Sequence, residues 1–109
     1  MKIKIDSYLG FAKKSGNLVT GAGTCSIMAA KGKLKLMIIA IDIADSSREK
    51  MERLAKSANI PYRIYGESDY LSKVTGNSGR SVFGITEKKF AEIIVNEIDS
   101  ETSTEEEVF

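Results

Sequence analysis

Leu34-Lys35-Leu36-Met37-Ile38-Ile39-Ala40-Ile41 is the longest apolar run of the chain, bounded by Gly32 on one side and Asp42 on the other. The run is too short for a typical isolated helix, and a strand covered on both faces shows continuous apolar residues instead of alternation. It therefore predicts a buried central strand with helices on both sides. Full burial of one Leu, Met or Ile side chain contributes roughly 1.5 to 3 kcal/mol, so a charge at Ile38 or Ile39 is expected to unfold the domain.

Toward the N-terminus, Tyr8, Leu9, Phe11 and Ala12 give an apolar face at near-helical spacing, predicting a first helix over about Ile5 to Ser15, capped by Asp6 or Ser7 and ended by Gly16. Asn17 to Thr20 reads as a short strand. Gly21-Ala22-Gly23-Thr24 then opens a second helix that ends at Gly32, with Cys25, Met28 and Ala29 inward. Beyond the central strand, Asp42 to Asp45 reads as a loop, and Ser46-Ser47-Arg48-Glu49 as a capping box. Met51, Leu54, Ala55 and Ala58 form the stripe of a third helix, stopped by Asn59-Ile60-Pro61. Tyr62 to Tyr65 is the next strand, Ser68 caps a brief helix to Val74, and Asn77-Ser78-Gly79-Arg80 is a polar loop. Ser81 to Ile85 is the fourth strand, and Thr86 caps a last helix carrying Phe90, Ala91, Ile94 and Val95. Strands and helices alternate throughout, which predicts an α/β fold.

At 109 residues the chain suits one compact domain. No stretch reaches the roughly 18 apolar residues of a membrane span, and nothing resembles a signal peptide, so a cytoplasmic protein without membrane contact is expected. The single cysteine, Cys25, forms no internal disulfide and fits a reducing compartment. With no histidine, the chain has no His-based metal site and no Ser-His or Cys-His catalysis.

The net charge of +1 hides an uneven distribution. Glu97, Asp99, Glu101, Glu105, Glu106 and Glu107 crowd the C-terminus, while Lys2, Lys4, Lys13, Lys14, Lys31, Lys33 and Lys35 stand against Asp6 alone in the first 35 residues. A basic body with an acidic tail points to a polyanionic partner, although lysines kept at the surface for solubility explain the same charge. Beyond Asp99 the sequence is too poor in apolar groups to offset the ordering entropy, so residues 99–109 are expected to be a disordered tail behind a domain of residues 1–98.

Three places could carry chemistry. The glycines of the Leu18 to Ala30 strand-loop-helix let backbone N–H groups approach an anion at a helix N-terminus, but the run lacks the later glycine of a dinucleotide loop and the Gly-Lys-Ser/Thr of a P-loop. Cys25 near a helix start could have a lowered thiol pKa, although without a histidine the core reading is the better one. Asp42 and Asp45 follow the central strand, where catalytic groups often lie, but read more simply as turn and cap residues. No acid, base and nucleophile converge, so no enzyme and no cofactor or metal is expected.

Three stretches together, Leu9 to Gly21, Lys31 to Ala40 and Ala58 to Tyr62, resemble the kink-turn RNA-binding ribosomal proteins of the L-seven-Ae and L-thirty-e superfamily. The opening run is most similar to its small bacterial members called YlxQ. The resemblance covers about residues 3 to 98. It implies a three-layer α/β/α sandwich on a four-stranded mixed sheet, and a monomer that binds structured ribosomal or messenger RNA in translation or ribosome biology, with ribosomal or translation proteins as further partners.

In that family the RNA motif is Gly-x-Asn-Glu-x-x-Lys at the start of the second helix. Counted back from Gly32, its glycine falls on Gly21, its Asn on Gly23, its Glu on Thr24 and its Lys on Ile27. Only Gly21 matches, and a basic residue usual four positions further on is kept as Lys31. The second family contact falls on Asn77, Ser78, Gly79 and Arg80. The resemblance thus implies an RNA-binding set of Lys13, Lys14, Gly21, Gly23, Thr24, Lys31, Lys33, Asn77, Ser78 and Arg80, working on the RNA backbone. Losing one bidentate base contact costs about 1 to 3 kcal/mol, so specific base reading is expected to be degraded. The alternative expectation is a protein-interaction or ribosome-assembly module on the same fold that has lost specific RNA binding.

Overall fold

A computed structural model describes the backbone of residues 2–107 and the side chains of residues 5–101. The elements follow in the order α1 (Lys2–Lys14), β1 (Leu18–Thr20), α2 (Ala22–Ala30), β2 (Leu36–Ile39), α3 (Asp45–Ser57), β3 (Tyr62–Ile64), α4 (Ser68–Thr75), β4 (Val82–Ile85) and α5 (Lys88–Glu107). The strands form one mixed sheet in the order β1-β4-β2-β3. β4 is antiparallel to both of its neighbours, and β2 and β3 run parallel.

Every residue of β2 is buried, as a strand with helices on both faces requires. Its side chains divide by the two-residue period of a strand. Leu36, Ile38 and Ala40 join Phe83 and Ile85 in a core closed by Ile5, Leu9 and Ala12 of α1, Leu71 of α4, and Ala91, Ile94 and Ile98 of α5. Met37, Ile39 and Val82 face the other way, onto Cys25 and Ala29 of α2, Met51 and Ala55 of α3, Leu34 and Ile60. The protein is therefore the three-layer α/β/α sandwich on a four-stranded mixed sheet. The ends of the apolar run behave differently from its middle: Lys35 is exposed, and Ile41, past the ladder, is 56% exposed.

Gly84 of β4 faces the second core. A Cβ there would stand 2.3 Å from Leu34 Cδ1 and 3.2 Å from Cys25 Sγ, so β4 must carry glycine at this point for Leu34 to cross it.

Several helix ends differ from expectation, mostly because tertiary partners replace local caps. α1 begins at Lys2, which puts Asp6 inside the helix, where its carboxylate accepts from the Tyr70 hydroxyl of α4; Ile5, not Phe11, completes the inner stripe, and Phe11 is 56% exposed. α3 starts at Asp45 with no side-chain cap, so the Ser46 to Glu49 capping box is not formed; Asp45 instead places a carboxylate in the first turn, 3.4 Å from Arg48. Ser68 is the first residue of α4 rather than its cap, and α5 is capped by Glu87, whose carboxylate accepts from the Lys89 and Phe90 amides. Those two amides hold the Glu87 carboxyl below the usual carboxylate range.

α5 also continues past the position where composition placed a disordered tail. Ile98 is buried, Asp99 receives two hydrogen bonds from Arg63 of β3 at 2.7 and 2.9 Å, and the helix runs on to Glu107. The Arg63 hydrogen bond holds the Asp99 carboxyl below its usual range. Val108 and Phe109 lie outside the described residues.

Candidate nucleic-acid interface

Because β1, β2 and β3 point the same way, the helices that follow them, α2, α3 and α4, all begin at one end of the sheet. Three positive helix ends therefore gather there. At the end of β1, Gly21 has φ 95 and ψ 144, a region that side chains avoid. This turn lets its N–H donate to Val82 O at 2.8 Å while its carbonyl accepts from the Cys25 amide at 3.0 Å, starting α2 with no side-chain cap. No side chain therefore caps the first-turn amides of α2.

Arg80 lies directly against this turn. A Cβ on Gly21 would stand 3.3 Å from Arg80 Nη1. The two residues border a groove of roughly 380 Å³ whose walls include Ala22, Asp42, Ile43, Ala44, Ser47 and Ser81. The Asp42 carboxylate accepts from both the amide and the hydroxyl of Ser68, and the Ser68 and Ser81 hydroxyls are 2.8 Å apart. The Ser68 amide, then its hydroxyl, holds the Asp42 carboxyl below the usual range. One guanidinium, the N-termini of α2 and α3 and one fixed carboxylate share the groove, and the start of α4 is tied to it through the Asp42–Ser68 bonds.

Of the residues expected to meet RNA, this groove brings together Gly21 and Arg80. Gly23 and Thr24 are exposed on the first turns of α2 beside it. Gly23 has an ordinary helical backbone, and Ile27 is 58% exposed on the same helix. Ser78 is exposed in the loop before Arg80, and Asn77 uses its amide to close α4, donating to Thr75 O at 3.2 Å. Lys13, Lys14, Lys31 and Lys33 belong to the opposite end of the sheet: the first two end α1, just before β1, and the others lie between α2 and β2. Asp42, read from the sequence as a turn residue, and Ile43 and Ala44 also line the groove without having been expected to meet RNA. Their signal was position, directly after the C-terminal end of the central strand.

Cys25 takes no part. It is fully buried on the inner face of α2, and burial pushes its thiol up to about 12, the reverse of an activated cysteine. Among the described residues no helix is long and apolar enough to cross a membrane.

Residues 3–95 match the model of the ribosomal protein L7Ae/L30e/S12e/Gadd45 family. The chain belongs to this family. Among solved structures, a protein of unknown function from Bacillus halodurans C is similar at 26% identity and a TM-score of 0.85, covering 88% of this chain and 97% of that one. A Giardia lamblia 15.5kD RNA binding protein shares the L7Ae-type fold at 19% identity and a TM-score of 0.75, over 91% of this chain and 88% of that one. No curated protein matches the sequence.

Proposed function

We propose that this chain is an RNA-binding protein of the ribosomal type, a YlxQ-like L7Ae-family member and not an enzyme, that grips structured, kink-turn-like RNA in the cytoplasm as a monomer. The observation that carries this reading is the Arg80 guanidinium held against the Gly21 turn at the uncapped start of α2. Backbone amides at a helix N-terminus and an adjacent guanidinium are a phosphate-binding pair. Family membership and an RNA-binding protein of the same fold support it.

Reading of bases is the weaker part. Gly23, Thr24 and Ile27 supply no amide, carboxylate or ammonium to purine edges, and Asp42 adds a negative charge to the groove. Recognition therefore runs through backbone shape and charge, which carry affinity without sequence information. The same features favour the second reading, a protein-interaction or assembly module without specific RNA binding. A salt series decides between them: binding of a kink-turn RNA whose log affinity falls steeply with log salt, and is weakened by Arg80→Gln, supports the first. Absence of any salt-dependent RNA binding, beside a stable protein partner in a pull-down, supports the second.

A further inference from the structure

The end of the sheet away from the Gly21 groove is built from the starts of β1, β2 and β3 and the end of β4. Its backbone joins are specific: the Lys35 amide donates to Ile85 O at 2.7 Å, the Thr86 amide to Asn17 O at 2.9 Å, and the Met37 amide to Pro61 O at 3.0 Å. These bonds draw three basic segments onto one end of the molecule. Lys13 and Lys14 come from α1, and Lys31, Lys33 and Lys35 from the connection into β2. The start of α5 adds Lys88 and Lys89.

All seven lysines are exposed, and none is in a salt bridge among the described residues. The same segments carry two carboxylates, of which Glu87 is engaged in capping α5 and Glu92 is exposed. Arg63 nearby is already neutralised by Asp99. Solubility does not account for the placement. Lys13 and Lys14 complement the C-terminus of α1, but Lys88 and Lys89 lie in the first turn of α5, where the helix dipole disfavours cations.

We propose that this lysine end is a second RNA-backbone surface, so that the protein holds two RNA segments at once, one at each end of its sheet. The inference rests on RNA being the ligand of the Gly21 groove. Lysine is depleted where proteins meet proteins, whereas scattered flexible ammonium groups suit phosphates spaced along a helical backbone. The two ends act separately. A four-residue strand spans about 13 Å, and the loops add to it, while charges are screened over about 8 Å at physiological salt.

The test uses an immobilised kink-turn RNA, the full-length protein, and a labelled RNA duplex added afterwards. Wild type should retain the duplex on the surface. The variant Lys31→Gln/Lys33→Gln/Lys35→Gln/Lys88→Gln should bind the immobilised RNA yet retain the duplex at least about tenfold less well, with its duplex-binding salt slope reduced by up to roughly four lysines' worth, about 0.9 each. Arg80→Gln should weaken kink-turn binding and still bind duplex in solution with a slope like wild type, so failure of the groove reading is seen apart from failure of this one. A thermal melt checks folding, and Lys31→Gln/Lys33→Gln serves if the larger variant melts early. Undiminished duplex retention by the lysine variants would overturn the proposal, as would a lysine end that binds poly-glutamate more tightly than the duplex.

Discussion

The backbone amide and the hydroxyl of Ser68 both donate to Oδ1 of Asp42, each at 2.9 Å, so a carboxylate beyond β2 anchors the start of the helix that follows β3. The bonds depress the Asp42 pKa, the backbone amide most strongly. A depressed carboxyl stabilises the fold above its unfolded-chain pKa of about 3.9, and that contribution is lost as pH falls through the lower folded value. Asp42→Asn keeps an accepting oxygen and removes the charge. Its Tm should lie below wild type at neutral pH and converge with it in strong acid, by circular dichroism melts; a gap that persists in acid would show that the charge is not the source.

Arg80 is expected to act on affinity and not on folding, since it is exposed at the loop end. Arg80→Gln should weaken kink-turn RNA binding whatever the base sequence and lower the slope of its log affinity against log salt by about one phosphate contact. Filter binding at several salt concentrations measures both, and an unchanged slope would remove Arg80 from the interface.

Gly23→Asn, Thr24→Glu, Ile27→Lys restores the family's base-reading side chains on a face prepared to take them. A Cβ at Gly23 meets no neighbouring atom, and the other two positions are exposed. The triple variant should melt no lower than wild type, because replacing a helical glycine offsets any loss, and should gain tenfold or more in kink-turn affinity, about the value of one bidentate contact. A folded variant with no gain places base reading elsewhere.

Gly84→Ala tests the packing of the central strands. The added methyl would collide with Leu34 Cδ1, and overpacking of this kind costs typically about 1 to 3 kcal/mol. Urea titration should show the loss. Leu34→Ala in the same background should recover part of it, since the clash disappears, whereas purely additive losses would mean the strand moves instead.

Much of the architecture is legible in the sequence because periodicity and burial coincide: the Leu36 to Ile39 core of the long apolar run, the Met51/Ala55 stripe, and the Ile94 face of α5 each have a single inner side. Caps are less legible, because the groups that satisfy α1's neighbour α4 and the start of α5 are Asp42, 26 residues from Ser68, and Glu87, one residue past the expected Thr86. The end of α5 is misplaced for the same reason. Arg63 lies 36 residues from Asp99, and composition cannot register such a partner. The candidate site is half legible. Gly21 and Arg80 carry local signals of turn and loop, but whether a lysine shares their end of the sheet depends on strand direction, which no single segment encodes.

The sheet order β1-β4-β2-β3 has a consequence for how the chain comes to be folded at all. β4, the strand that joins the first to the rest, is the next-to-last element in the chain, so until residues 82–85 arrive β1 has no ladder and the parallel pair β2–β3 stands open along one side. Parallel pairing and distant contacts are slow to form, and an unpaired strand edge is prone to aggregation. On the ribosome, which adds roughly 5 to 20 residues per second, most of this protein is therefore made before β4 can complete its sheet.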